Sequence, residues 1–125
     1  VLEDGIFKAQ APKIIDSQVV KSSTSAQVRQ MLTDARRLYY KNVDRAGYEI
    51  GGKTGTSEKI VDGRYVESQT TATYLGYGGT NRPEYVIMIR VDGKGKYLAG
   101  NTDAAPIFTD ISNWLIDYLK LYPKE

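Results

Sequence analysis

The chain has 125 residues, 41% of them apolar and 26% charged, with 17 basic against 15 acidic side chains and a net charge of +2. That profile fits one soluble folded unit and gives no sign of a nucleic-acid-binding surface. Cysteine and histidine are both absent, which excludes disulfides, thiolate metal sites and an imidazole base, so any catalysis must use Lys, Tyr, Ser, Thr or carboxylates.

Residues 12–20, "PKIIDSQVV", have the β-branched content of a strand. "SSTS" then signals a helix start, with Thr24 and Gln27 at capping-box spacing. Val28, Met31, Leu32, Ala35, Leu38 and Tyr39 recur at helical spacing and predict one apolar face on a helix running to about Lys41. Arg36 and Arg37 are expected on its solvated face. Residues 42–47 read as a connector.

Residues 48–57 predict a strand weakened by glycines, and "KIVDGRYV" at 59–66 predicts a hairpin with a type I′ turn at Asp62-Gly63. Residues 70–78 alternate as a strand. "EYVIMIRV" at 84–91 is nearly continuous in apolar character and predicts a strand buried on both faces. "DGKGKYLAGNTD" reads as a loop. Asp103 to about Leu121 predict a second helix, capped by Asp103, with a stripe of Ile107, Phe108, Ile111, Leu115, Tyr118, Leu119 and Tyr122, and stopped by Pro123. Trp114 is expected to pack at the edge of that stripe, and Tyr65 is the tyrosine placed to touch a substrate. The short connections make the three strands antiparallel neighbours. The expected fold class is α+β: an antiparallel sheet of about three core strands with two helices packed on one face. The other face has no obvious cover, so it packs on further chain or on a partner. The chain starts at Val1 rather than Met, which reads as a piece of something longer.

The stretch "GGKTGTS" at 51–57 carries chemistry. Its glycines let another extended backbone approach. Alternation puts Thr54 and Thr56 on one side, Lys53 and Gly55 on the other. A lysine ammonium, hydroxyl donors and edge N–H groups suit acyl transfer to a substrate bound like an added strand. A Gly-rich surface turn is the plainer alternative. Residues 47–54, "GYEIGGKT", also match P-loop spacing, but a P-loop must follow a buried strand and open a helix, and here a helical segment precedes it and a hairpin follows.

Four segments in order, "GGKTGTSE", "YVESQTTATYLGYGG", "NRPEYVIMIRVDG" and "AAPIFTDISNWLIDYL", together with the "GIFKAQAP" lead-in, resemble the C-terminal part of a penicillin-binding protein transpeptidase domain, class B in style. The resemblance covers nearly the whole chain. It implies an incomplete half of the penicillin-binding/serine β-lactamase-like fold, at residues 1–125. It implies that Lys53 assists proton transfer and that the backbone N–H of Thr56 is half of an oxyanion hole. Thr54, Gly55, Thr56 and Ser57 would line the substrate, with the Thr56 hydroxyl on the terminal carboxylate of a D-alanyl-D-alanine stem peptide or a β-lactam. The resemblance implies no metal or cofactor, an extracytoplasmic location for a membrane-anchored parent, and a peptidoglycan D,D-transpeptidase activity in that parent. One departure matters: the chain has no Ser-x-x-Lys and no Ser-x-Asn, which in the family lie further upstream. The nucleophile is therefore expected in a missing N-terminal half, and the 125 residues alone are expected to be inactive. A non-catalytic binding module of the same fold, or part of a β-lactamase or β-lactam sensor, remains open.

Overall fold

A computed structural model describes residues 2–3, 5–7, 9 and 11–124; Lys8 and Gln10 of the lead-in segment lie outside the described residues. Two short strands, β1 (Leu2–Glu3) and β2 (Ile6–Phe7), pair antiparallel. Helix α1 (Ser22–Tyr40) follows, then strands β3 (Glu49–Val61), β4 (Arg64–Gly79) and β5 (Tyr85–Asp92), a π-helical turn (Gly100–Ala104) and helix α2 (Ala105–Tyr118). The three long strands form one antiparallel sheet in the order β3-β4-β5, so the expected α+β architecture holds. Asp62 and Gly63 both take positive φ, 50° and 75°, as a type I′ turn requires. A register shift between Glu58 and Lys59 bends the distal part of the β3–β4 ladder.

Alternation along β4 and β5 divides the sheet into two faces. Ala72, Tyr74, Ile87, Ile89 and Val91 face α2 and join Ile50, Ala104, Ala105, Phe108 and Ile116 in the core. Phe108 packs so tightly over Gly76 that a Cβ there would lie 2.5 Å from its ring. The Tyr85 hydroxyl lies 2.7 Å from Ser112 Oγ and ties β5 to α2. The two helices meet over this inner face: Arg36 of α1 donates to Thr109 Oγ1 of α2 at 2.7 Å and to the Tyr74 hydroxyl at 3.1 Å.

Several sequence expectations change. Residues 12–20 form no strand; they are irregular and exposed. They have no partner strand among the described residues, and Asp16 Oδ1 accepts the N–H of Gln18, a local turn that competes with extended pairing. The capping box is not formed: α1 begins at Ser22, Lys21 is its N-cap, and Thr24 lies inside the helix. The orientation of α1 is also reversed from expectation. Arg36 is 1% exposed and Thr33 is buried, whereas Met31 and Leu38 stand out at 69% and 70%. Arg36 is thus not a solvated residue. Its charge is matched at 2.6 Å by Asp44 and covered by the rings of Tyr40, Tyr74 and Phe108. Strand β5 is half-buried on one face only; Val86 and Met88 are exposed on the other, alongside Leu75.

Helix α2 starts two residues after Asp103, and its buried side is Ala105, Phe108, Thr109, Ser112 and Ile116. Of the expected stripe only Phe108 is fully buried. Ile107, Ile111, Leu119 and Tyr118 remain exposed, and Trp114 stacks on Tyr118 at 4.7 Å outside the core. The helix ends at Tyr118, before Pro123, in a Schellman motif: Lys120 N–H donates to Asp117 O and Leu121 N–H to Ile116 O. No helix among the described residues is long and apolar enough to cross a membrane.

Candidate active site

β3 is an edge strand, with β4 on one side and, among the described residues, no strand on the other. Every second residue of such a strand directs its N–H and C=O away from the ladder. Lys53, Thr54, Gly55, Thr56 and Ser57 lie together on β3, opposite Leu75, Tyr74, Thr73, Ala72 and Thr71 of β4. This placement rules out the P-loop: Gly51, Gly52 and Lys53 are extended strand, not a loop opening a helix.

Glycines thin the strand where the central tyrosines cross it. A Cβ on Gly52 would lie 2.5 Å from the Tyr74 ring, and one on Gly51 2.5 Å from the Tyr77 ring. Tyr74 and Tyr77 point to opposite faces, yet both reach α1. Tyr74 meets Arg36, while the Tyr77 hydroxyl lies 2.8 Å from Thr33 Oγ1 and 2.7 Å from the carbonyl of Arg29. The helix is therefore fastened beside β3 from both faces, and Arg29 adds an ion pair to Glu49 at 3.1 Å. Burial works against the Arg36 charge, but Asp44 outweighs it and holds the guanidinium above its ordinary pKa. Burial likewise raises the Tyr74 hydroxyl, with Arg36 opposing.

Beside Lys53 and Thr54 opens a cavity of about 590 Å³, bounded by Tyr39 and Tyr40 of α1, Tyr74, and Asn101. The exposed Lys53 ammonium folds along its own strand, donating to Thr54 O at 3.0 Å and Thr54 Oγ1 at 3.2 Å. An ammonium has three N–H donors, so one stays available. Thr56 is exposed, and its Oγ1 accepts the Gly100 N–H at 3.2 Å. Lys53, Thr54 and Thr56 thus sit on one open edge, with their donors near the surface. Tyr65 lies away from them, exposed in the distal hairpin opposite Ile60. No sequence signal marks Gly100 or Asn101, which lie in a segment that reads as a loop and come to β3 only by folding. Tyr39, expected on the apolar face of α1, is exposed and borders the cavity instead.

Residues 1–113 match the family described as the penicillin binding protein transpeptidase domain. The chain belongs to that family. Among its relatives are stage V sporulation protein D of Bacillus subtilis, 34% identical over 120 residues, and a probable peptidoglycan D,D-transpeptidase PenA of Neisseria flavescens, 29% identical over 122. Each alignment covers 94% of this chain but only 18% and 30% of those proteins. Penicillin binding protein 3 of Mycobacterium tuberculosis, solved with ampicillin, superposes with a TM-score of 0.72 at 28% identity, over 93% of this chain and 28% of that one. The same protein with aztreonam gives 0.69. The transpeptidase family thus explains the sheet and both helices, and the chain spans less than a third of the length of these relatives.

Proposed function

We propose that these residues form the Lys-Thr-Gly wall of a peptidoglycan D,D-transpeptidase. The observation that carries the reading is the edge strand itself: in a member of the transpeptidase family, Lys53 and Thr54 of β3 border a cavity, and Thr56 lies exposed two residues further along the same edge strand. An extended stem peptide can add to that edge as a strand, using main-chain hydrogen bonds for affinity. A serine elsewhere in the protein attacks the penultimate D-alanine carbonyl. The Ser O–C bond forms, the C–N bond breaks, and the terminal D-alanine leaves with the proton. Lys53 serves the proton transfers, the Thr56 N–H receives developing oxyanion charge, and the Thr56 hydroxyl holds the terminal carboxylate, with Thr54, Gly55 and Ser57 along the peptide. β-Lactams, which carry an equivalent carboxylate, acylate the same serine.

The chain contains no Ser-x-x-Lys or Ser-x-Asn, so alone it does not acylate. Its exposed apolar surfaces support packing against more chain of the same domain. Val86 and Met88 on β5 lie beside Leu75 on the outer sheet face, and Val28, Met31 and Leu38 crown α1. Such surfaces weigh against a self-standing binding module. The substrate places the full protein on the extracytoplasmic face of the cell membrane, with no nucleic acid, metal or cofactor in the reaction.

Fluorescent penicillin tests this. The 125-residue chain stays unlabelled and the full-length protein labels covalently. Lys53→Ala slows labelling about a hundredfold or more, the scale of a lost acid–base group. Labelling of the isolated chain, or unchanged labelling of the variant, would overturn the reading. Rapid turnover of the penicillin by the full-length protein would indicate a β-lactamase instead.

A further inference from the structure

Gly100 lies 44 residues from Thr56 in sequence, yet its backbone N–H ends on the Thr56 hydroxyl oxygen at 3.2 Å. A threonine hydroxyl has one proton and two lone pairs. With one lone pair taken by the Gly100 N–H, the O–H proton turns away from Gly100. Among the described residues nothing receives it. The exposed Thr56 side chain therefore presents a donor outward, and a hydroxyl that accepts one hydrogen bond donates the next more strongly.

The segment that brings Gly100 to this point is held from several sides. Leu98 N–H donates to Thr70 Oγ1 at 2.7 Å, and that hydroxyl donates to Leu98 O at 2.5 Å. Thr70 N–H donates to Lys96 O at 3.1 Å. The π-helical turn then closes on itself: Asp103 N–H reaches Ala99 O at 2.9 Å, and the Asp103 carboxylate accepts from Ala99 N–H and from the Thr102 hydroxyl, both at 2.8 Å. Those two donors hold the Asp103 carboxyl below its ordinary pKa, so it is ionised and the clasp is closed at neutral pH.

Position 100 also has no room for a side chain. A Cβ there would lie 2.6 Å from Thr73 O, 2.7 Å from Gly55 O and 2.9 Å from Gly55 N. All three are sheet backbone, which cannot swing aside. Gly100 is thus pressed against the middle of the Lys53–Thr56 segment. Short π-helical turns recur at functional sites, where they redirect a backbone group at some cost in helix regularity.

We propose that Gly100, carried by the π-helical turn Gly100–Ala104, is a positioning residue for Thr56: its amide fixes the hydroxyl as an outward donor for the carboxylate of the acyl-donor substrate. This deepens the reading of the site given above and rests on it. Gly100 touches no substrate; it acts through Thr56.

The test uses the full-length protein and two ligands, a penicillin and its methyl ester, which lacks the anionic carboxylate. Thr56→Val slows acylation by the free acid about tenfold or more, the scale of a lost hydrogen bond to a charged group, and slows the ester less than about twofold. Gly100→Ala gives the same selective loss, and the double variant loses no more than either alone. Equal slowing of both ligands by Gly100→Ala, or no slowing of either, overturns the positioning role while Thr56→Val remains selective. If Thr56→Val itself does not distinguish the ligands, the carboxylate reading has failed, and this inference with it. Should Gly100→Ala fail to fold, hydrogen exchange on Thr56→Val decides: the Gly100 amide exchanges about tenfold faster once its acceptor is gone, and unchanged exchange overturns the contact.

Discussion

The Arg36 guanidinium meets the Asp44 carboxylate with two parallel hydrogen bonds, Nη2 to Oδ1 at 2.6 Å and Nε to Oδ2 at 2.8 Å. The guanidinium is closed off from water, while Asp44 keeps a little exposure. A third donation to Thr109 and a fourth to Tyr74 make Arg36 the joint between α1, the connector after it, the central strand and α2. A charge in that position needs its partner, because an isolated buried cation has lost its water without compensation.

Asp44→Ala leaves the Arg36 charge stranded, and the expected loss is about 3 kcal/mol, the scale for breaking one side of a buried pair. Replacing Arg36 and Asp44 together by Met and Ala costs less than Asp44→Ala alone. Urea unfolding of the three proteins measures both effects; a double variant less stable than Asp44→Ala would contradict the account.

Gly52 and Gly63 are predicted to fail for different reasons. An alanine at Gly52 meets the Tyr74 ring at 2.5 Å and Leu75 O at 2.8 Å, so it pushes the tyrosine off Arg36 and costs about 2 kcal/mol by overpacking. An alanine at Gly63 meets nothing within 4 Å, but must hold φ of +75°, which costs about 1 kcal/mol of backbone strain. Thermal unfolding ranks them, and near-ultraviolet circular dichroism shows an altered tyrosine signal for Gly52→Ala only.

Lys120 occupies the left-handed C′ position that ends α2, with φ of 54°. Glycine tolerates this conformation better than lysine does. Lys120→Gly is expected to stabilise the chain by about 0.5 kcal/mol, with the gain limited by the extra freedom glycine has when unfolded. A fall in the unfolding midpoint would count against this assignment of the cap.

Stability falls at both ends of the pH scale. Asp103 is lowered by the Ala99 N–H and Thr102, Asp117 by Arg45, and Asp92 chiefly by Thr71. Each contributes fully above the unfolded aspartate pKa of about 3.9 and loses its contribution as pH falls through the lower folded value. Burial raises Tyr74, Tyr77 and Tyr85. These favour folding below the unfolded tyrosine pKa of about 10, and the benefit disappears as pH rises through the higher folded values. Chemical denaturation across pH reads both limbs. Tyr85→Phe keeps most of the packing and should flatten part of the alkaline limb; an unchanged limb would show that Tyr85 does not contribute to it.

Sequence alone determined the three long strands, their antiparallel order, the Asp62-Gly63 turn and the extended run that carries the proposed site. Those features depend on neighbours in the chain: alternation, short connections, a two-residue turn with positive φ, and the Lys53–Ser57 run along one strand. Which way the helices face was decided by tertiary structure. Periodicity identified Met31 and Leu38 as one apolar face of α1, but an apolar face only says that something covers it. In this chain the sheet takes the opposite side, because Asp44, Tyr74 and Thr109 together supply Arg36 with the partners a buried charge requires. The same limit applies to Thr56. Its place on the β3 edge is local information, whereas the amide that aims its hydroxyl comes from Gly100, and only the folded chain brings those two atoms within hydrogen-bonding distance.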